Sequence, residues 1–187
     1  MKDNFILTFT GKKFYPFSAN INDICLEDIA QALSNICRYN GHCPNFYSVS
    51  EHCVYVSNYL YKQYEDSEIA LLGLLHDSAE AYIGDIPSPV KHLFSGIKDI
   101  ENNLLNMIYS KLTNISVPLS EKRILDIKTA DLTLLYTELN SFMSKKHKLP
   151  QLPKNFKVIP DFEFKFLEPK KALKLFVDKY FELKNEL

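Results

Sequence analysis

A mainly α-helical protein with one short β-hairpin near its N-terminus is the fold class this sequence predicts. Three observations predict it. Apolar residues recur at helical spacing through most of the chain. Proline and turn-forming residues fall between those periodic stretches and not inside them. Only at the start do two short runs, Phe5 to Phe9 and Lys12 to Phe17, flank a Thr10-Gly11 turn in the manner of a hairpin. At ~150 residues per domain, 187 residues favour one domain. It divides into a hairpin at 1–20, a helical core at 21–144 and a C-terminal extension at 145–187.

Asp23 opens the first helical pattern, through Ile24, Ile29, Ala30, Leu33 and Ile36 to about Arg38. Tyr39 to Tyr47 is a loop, because Asn40-Gly41 and Cys43-Pro44-Asn45 are turn chemistry. Ser48-Val49-Ser50-Glu51 is a capping box, in which the serine accepts from the amide three residues on and the glutamate reaches back. A second helix therefore runs from Val49 to about Tyr64, and a third from Ser67 to Tyr82. Gly84 and Pro87-Ser88-Pro89 stop the third. Short helices are expected at Val90 to Phe94 and Asp99 to Leu112, and a long one from Leu119 to about Phe142. Lys145 to Pro160 is polar and proline-bearing, so it is a linker or excursion. Phe162 to Phe166 predicts a strand and Pro169 to Leu183 a closing helix.

Composition excludes several classes. Hydrophobic residues make up 46% and charged residues 24%, which suits a packed globular chain and not a disordered one. A net charge of -1 provides no general field for gripping duplex nucleic acid, yet leaves room for a local pocket that binds a small anion. Met1 to Lys13 has no long apolar block, and no stretch is long enough to span a membrane. A cytoplasmic location follows as the expectation. Cys25, Cys37, Cys43 and Cys53 are then reduced thiols, mostly filling the core.

The chemistry-bearing residues come from separate segments. His52 lies in the first turn of the second helix, His76-Asp77 in the third, and Asp131 in the middle of the long apolar helix. A carboxylate inside an otherwise buried stretch needs a partner, and a cation supplies one. Two imidazoles and two carboxylates make a mixed nitrogen and oxygen set that suits Zn, Mn, Fe, Co or Ni, and Mg less well. Four protein ligands leave a position open for water or a phosphoryl oxygen. Residues 76 and 77 point about 100° apart around a helix, so a shared ion must lie between their two directions. His76 and Glu80, at i and i+4, share a face, and this places Glu80 beside such an ion without ligating it. Only two of the 22 basic residues, Arg38 and Arg123, are arginine, so an arginine near this set points to a need for its planar fork.

Bland readings stand beside these. His42 with Cys37, Cys43 and Cys53 fits no closed zinc knuckle, and His42 lines a substrate pocket or stabilises its loop. Glu138, two turns after Asp131, reads as part of a solvated face, with a contact behind a ligand as the alternative. Lys145-Lys146-His147-Lys148 and His92 read as surface.

Tyr47 to His52 and the string from Leu75 to Lys91, an HDxxE…GDxPxPxK pattern, with Asp131 downstream, resemble the HD-domain metal-dependent phosphohydrolases. The likeness is to the small bacterial and phage branch, which includes the 5′-deoxynucleotidases and phage dATP triphosphohydrolases, and it covers about residues 21 to 140. The resemblance implies an HD-domain helical bundle with one divalent ion held by His52, His76, Asp77 and Asp131. Glu80 would be the catalytic carboxylate near the water, and Asp85 would position the nucleophile or leaving oxygen. Lys91 would face the phosphate, and Arg38 the phosphate or sugar. Relatives often carry tryptophan after that arginine; Tyr39 stands here and the chain has no tryptophan, so the nucleoside preference is open. The implied activity is hydrolysis of a small (deoxy)nucleotide with 5′-nucleotidase-type release of phosphate. The alternatives are a dNTP triphosphohydrolase releasing tripolyphosphate and a signalling-nucleotide hydrolase or sensor. The resemblance also implies a homo-oligomer, a dimer or larger.

Overall fold

A computed structural model describes residues 4–143 and 157–187. Its architecture is helical, with a two-stranded antiparallel hairpin. Strands β1 (Ile6–Leu7) and β2 (Lys13–Phe14) pair Ile6 with Phe14 and Leu7 with Lys13. The hairpin docks by two contacts. Phe14 is fully buried and stacks on Tyr82 with ring centroids 3.8 Å apart. Asp28 accepts from the amide and hydroxyl of Thr10 at 2.7 and 2.9 Å.

Helix α1 (Leu26–Asn35) begins three residues later than its apolar pattern implies, because Asn20 caps a separate 3-10 turn at Ile21–Asp23. The chain then returns in a closed loop. Arg38 N donates to the Tyr47 carbonyl at 2.9 Å and Val49 N to that of Ile36 at 3.0 Å. Tyr39, Asn40 and Gly41 all take positive φ (57°, 50° and 77°), which turns the loop tightly.

Helix α2 (Val49–Tyr64) is the central element. Its first nine residues, Val49 to Ser57, are all buried, and α1 and the helices at Ser67–Leu74, Glu121–Ser141 and Pro169–Asn185 pack around it. Ser48 Oγ accepts from Glu51 N at 3.2 Å as the cap demands. The glutamate does not reach back; its carboxylate is taken up elsewhere, as described below. Helix α3 (Ser67–Leu74) is capped by Asp66 and packs so closely on α2 that a Cβ at Gly73 would run into Leu60.

The helix expected to run from Ser67 to Tyr82 breaks. Residues 75–79 are turns with i→i+3 bonds, and α4 (Glu80–Ile83) follows. His76 supplies a reason: its Nδ1 lies 2.8 Å from the Gly73 carbonyl, the acceptor that a continuing helix would offer to Asp77 N.

Helices α5 (Ser88–Lys91), α6 (Ile97–Leu112), α7 (Glu121–Ser141) and α8 (Pro169–Asn185) match their expected positions within a few residues. Residues 162–166 form no strand. The amides of Lys165, Phe166 and Leu167 donate to the Glu51 carboxylate at 2.8–3.1 Å instead of to a neighbouring strand. Phe162, Phe164 and Phe166 pack with Tyr47, Tyr55 and Phe142. The lysine-rich run at 145–148 lies outside the described residues. No described helix is long and apolar enough to cross a membrane.

Candidate active site

Three elements bring four predicted groups to one point. α2 contributes His52, the turn after α3 contributes His76 and Asp77, and α7 contributes Asp131. His52 Nε2 lies 3.3 Å from Asp131 Oδ1 and 3.9 Å from Asp77 Oδ2. His76 Nε2 lies 3.1 Å from Asp77 Oδ2 and 3.9 Å from Asp131 Oδ1. The adjacent pair at 76 and 77 thus does converge, on backbone that has left α-helical winding.

The far sides of both imidazoles are committed. His52 Nδ1 faces Glu138 Oε1 at 2.6 Å, and His76 Nδ1 faces the Gly73 carbonyl. A carboxylate and a carbonyl only accept, so each Nδ1 carries the proton and a neutral ring turns a lone pair inward at Nε2. Both Nε2 atoms are buried without a hydrogen-bond partner. Four acceptors facing one another are stable only around a positive charge. The need shows at His76: burial alone would lower its pKa, but the facing Asp77, and then Cys53, outweigh burial and raise it well above the ordinary histidine value. A divalent cation meets the same need with more charge. His52, His76 and Asp131 offer ligand atoms within 4.8 Å of one another, and so do Cys53, His76 and Asp77.

Around this cluster sit further charged groups. Arg38 is buried; one terminal nitrogen lies 3.2 Å from Glu138 Oε2 and the other 3.8 Å from Asp77. Glu80 is 4% exposed, with Oε1 3.6 Å from Lys91 Nζ and Oε2 without a partner. Burial first, then the carboxylates of Asp77 and Asp85, push Glu80 up to about 10. The 3-10 winding explains why Asp77 bears on Glu80, since side chains at i and i+3 eclipse there. Asp85 is half-buried, and burial raises its carboxyl. Lys91 is drawn to Glu101 at 2.6 Å.

His42 is not part of the cluster; it is exposed on the 36–48 loop. Tyr39 lies beside Arg38 and donates its hydroxyl to Glu138 at 2.6 Å. Cys37 and Cys43 Sγ are 3.6 Å apart, and no third metal-ligating group joins them among the described residues.

Glu138 corrects the reading of a solvated face. It is fully buried and accepts from Arg38, Tyr39, Tyr47 and His52. Burial would raise its pKa, but Arg38 and His52 hold it down at about 2. A signal for it existed: seven residues separate Asp131 from Glu138, which puts both on the stripe of α7 that buries Ile127 and Leu134. Lys128, whose Nζ holds the outer oxygen of Asp131 at 2.7 Å, carried no such signal.

A helical protein with imidazoles and carboxylates from three segments around one cation-sized point, and an HDxxE string between them, belongs to the small bacterial HD-type phosphohydrolases. Within that class, a profile of 5′-deoxynucleotidase YfbR-like proteins matches residues 35–126. YfdR, an uncharacterized protein of Escherichia coli (strain K12), is 41% identical over 138 residues, covering 72% of this chain and 70% of that one. The chain is a member of the YfbR-like 5′-deoxynucleotidase family.

Proposed function

We propose that the protein is a divalent-cation-dependent phosphohydrolase that removes phosphate from a small 5′-deoxynucleotide. The observation that carries this reading is the pair of inward, unpartnered Nε2 atoms facing Asp77 and Asp131, with each Nδ1 fixed behind. His52, His76, Asp77 and Asp131 would hold the ion. When bound, the ion supplies Lewis-acid polarisation of a phosphoryl oxygen and makes a nearby water more acidic. The choice of metal follows the donor set, with Mn, Co, Zn, Fe or Ni favoured over Mg.

The chain's own groups divide the remaining work. Arg38 is anchored at one terminal nitrogen by Glu138, and its guanidinium keeps further N–H donors and its charge for a phosphate. Lys91, between Glu80 and Glu101, adds positive charge at the same rim. Glu80, raised by burial first and then by Asp77 and Asp85, would take the proton of the attacking water, and balancing the Asp77 charge removes one of the causes that hold it high. Asp85 orients the leaving oxygen. Tyr39 faces the nucleoside, and His42 lies further out on the same loop.

The deciding assay incubates Mn- or Co-loaded protein with a panel of nucleoside mono- and triphosphates and identifies the released anion. Orthophosphate from monophosphates is the expected product. Tripolyphosphate would move the assignment to a triphosphohydrolase, and no turnover of any nucleotide would refute the hydrolase reading.

A further inference from the structure

His52 presents a single ring nitrogen to the cation cluster, and Glu138 fixes the other. The same carboxylate grips the two residues at the rim. Oε1 is shared by His52 Nδ1 at 2.6 Å and the Tyr47 hydroxyl at 2.9 Å. Oε2 is shared by the Tyr39 hydroxyl at 2.6 Å and an Arg38 terminal nitrogen at 3.2 Å. Four donors fill the roughly four lone-pair sites of a carboxylate, so one group holds all four in place, His52 and Tyr47 on one oxygen and Tyr39 and Arg38 on the other. Arg38 is buried, with one terminal nitrogen on Glu138, the other 3.8 Å from Asp77 and its Nε without a partner.

We propose that Glu138 is a positioning residue that couples two affinities of the site: it aims His52 at the cation and holds Arg38 and Tyr39 where an anion binds. Losing it frees the His52 ring to turn or change tautomer, and releases the guanidinium toward Asp77. Only a carboxylate serves both sides. A glutamine keeps the shape but has one acceptor oxygen, and its NH2 must face either the His52 pair or the Arg38 pair, all of them donors. The coupling rests on the phosphohydrolase reading only for the identity of the anion.

The test is two titrations and one spectrum, none of which needs turnover. Mn2+ is titrated into metal-free protein by calorimetry, and inorganic phosphate into Mn2+-saturated protein, for wild type, Glu138→Ala, Glu138→Gln, Arg38→Ala and Tyr39→Phe. Glu138→Ala is expected to weaken both ligands by at least about tenfold, while the Arg38 and Tyr39 variants weaken phosphate and leave Mn2+ within about threefold. Glu138→Gln weakens at least one ligand by that amount. In zinc-loaded wild type, the proton–nitrogen spectrum should show a slowly exchanging, deshielded Nδ1–H for His52. That resonance requires no variant to fold, and its absence overturns the proposal. So does a folded Glu138→Ala protein that keeps either affinity. A wild-type protein that hydrolyses no nucleotide while both losses occur would end the hydrolase reading and leave the coupling in place.

Discussion

Glu51 and Glu138 are both fully buried, and each carboxylate accepts four hydrogen bonds, yet their donors come from different parts of the molecule. Glu51 takes three backbone amides, of Lys165, Phe166 and Leu167, and the Tyr55 hydroxyl. Glu138 takes only side chains, and two of its donors, His52 and Arg38, turn another nitrogen to Asp77, at 3.9 and 3.8 Å. A backbone donor has one fate, which is to be satisfied, so Glu51 organises chain. A side-chain donor with a second polar end can be aimed, so Glu138 organises chemistry. Tyr47 and Tyr55 stack between the two with centroids 6.4 Å apart. The two glutamates therefore share packing while differing in what their loss should do.

The comparison breaks most visibly at Glu51. Glu51→Ala takes the shared acceptor from three amides, of which only that of Lys165 keeps another in the Tyr55 hydroxyl, and loosens the aromatic segment they anchor. A loss of roughly 4 kcal/mol is expected, less than the full sum because exposed amides regain water. Urea unfolding measures it, and turnover per folded molecule should match wild type. A comparable loss of turnover in the folded fraction would mean that Glu51 also shapes the site. Glu80 sharpens the contrast as a third buried glutamate, one with an unpartnered oxygen. Glu80→Gln removes a proton carrier and should lower kcat roughly 100-fold, with Mn2+ affinity within about threefold of wild type. Because this carboxyl is buried beside other acids and costs energy to ionise, the variant should be at least as stable as the parent, which a thermal melt checks.

Much of this was legible in the sequence, for reasons that differ by region. Helices α2, α6, α7 and α8 announce themselves by apolar period, and α2 also by its Ser48 cap. Asp131 stood out because a carboxylate in an apolar stretch needs a partner, and the HDxxE string with its upstream histidine brought in His52, His76 and Asp77. The break after Leu74 was not legible: Leu75 to Ala79 contains neither glycine nor proline, and what ends the helix is the His76 ring on the Gly73 carbonyl. The alternation Phe162, Phe164, Phe166 looked like a strand because a side-chain pattern cannot reveal that the amides are taken by a carboxylate over 100 residues away. Glu138 was misread although its offset from Asp131 placed it on the buried stripe of α7. A buried acid is identified by its donors, and these lie on a loop and a helix start distant in sequence.

A smaller effect tests the architectural side alone. Tyr55→Phe removes one donor from Glu51 and the second acceptor of the Lys165 amide at 3.1 Å, while all three amides stay on the carboxylate, so roughly 1–1.5 kcal/mol of stability is expected to go, with no change in Mn2+ affinity. If Mn2+ binding weakened as well, the stacked Tyr47 would be carrying strain to Glu138, and the separation between the two glutamates would fail.

The smallest expected effect lies at a third carboxylate, Asp28, which pins the hairpin as Glu51 pins the C-terminal segment. It is 3% exposed and accepts from Thr10 N, Thr10 Oγ1 and Cys25 Sγ, in the first turn of α1 where helix amides favour a negative charge. Burial would raise its pKa, but those hydrogen bonds outweigh it and hold the carboxyl below the usual aspartate value of 3.8. The folded state thus binds this proton more weakly than the unfolded chain. Its contribution is complete above the unfolded value and fades as pH falls through it toward the lower folded value. Asp28→Asn should cost about 1 kcal/mol at about pH 6 and clearly less at about pH 3. Urea midpoints of wild type and variant at the two pH values give the difference, which cancels the other carboxylates common to both. A gap that widened on acidification would mean that Asp28 is protonated more readily in the folded protein, and that its donors do not outweigh its burial.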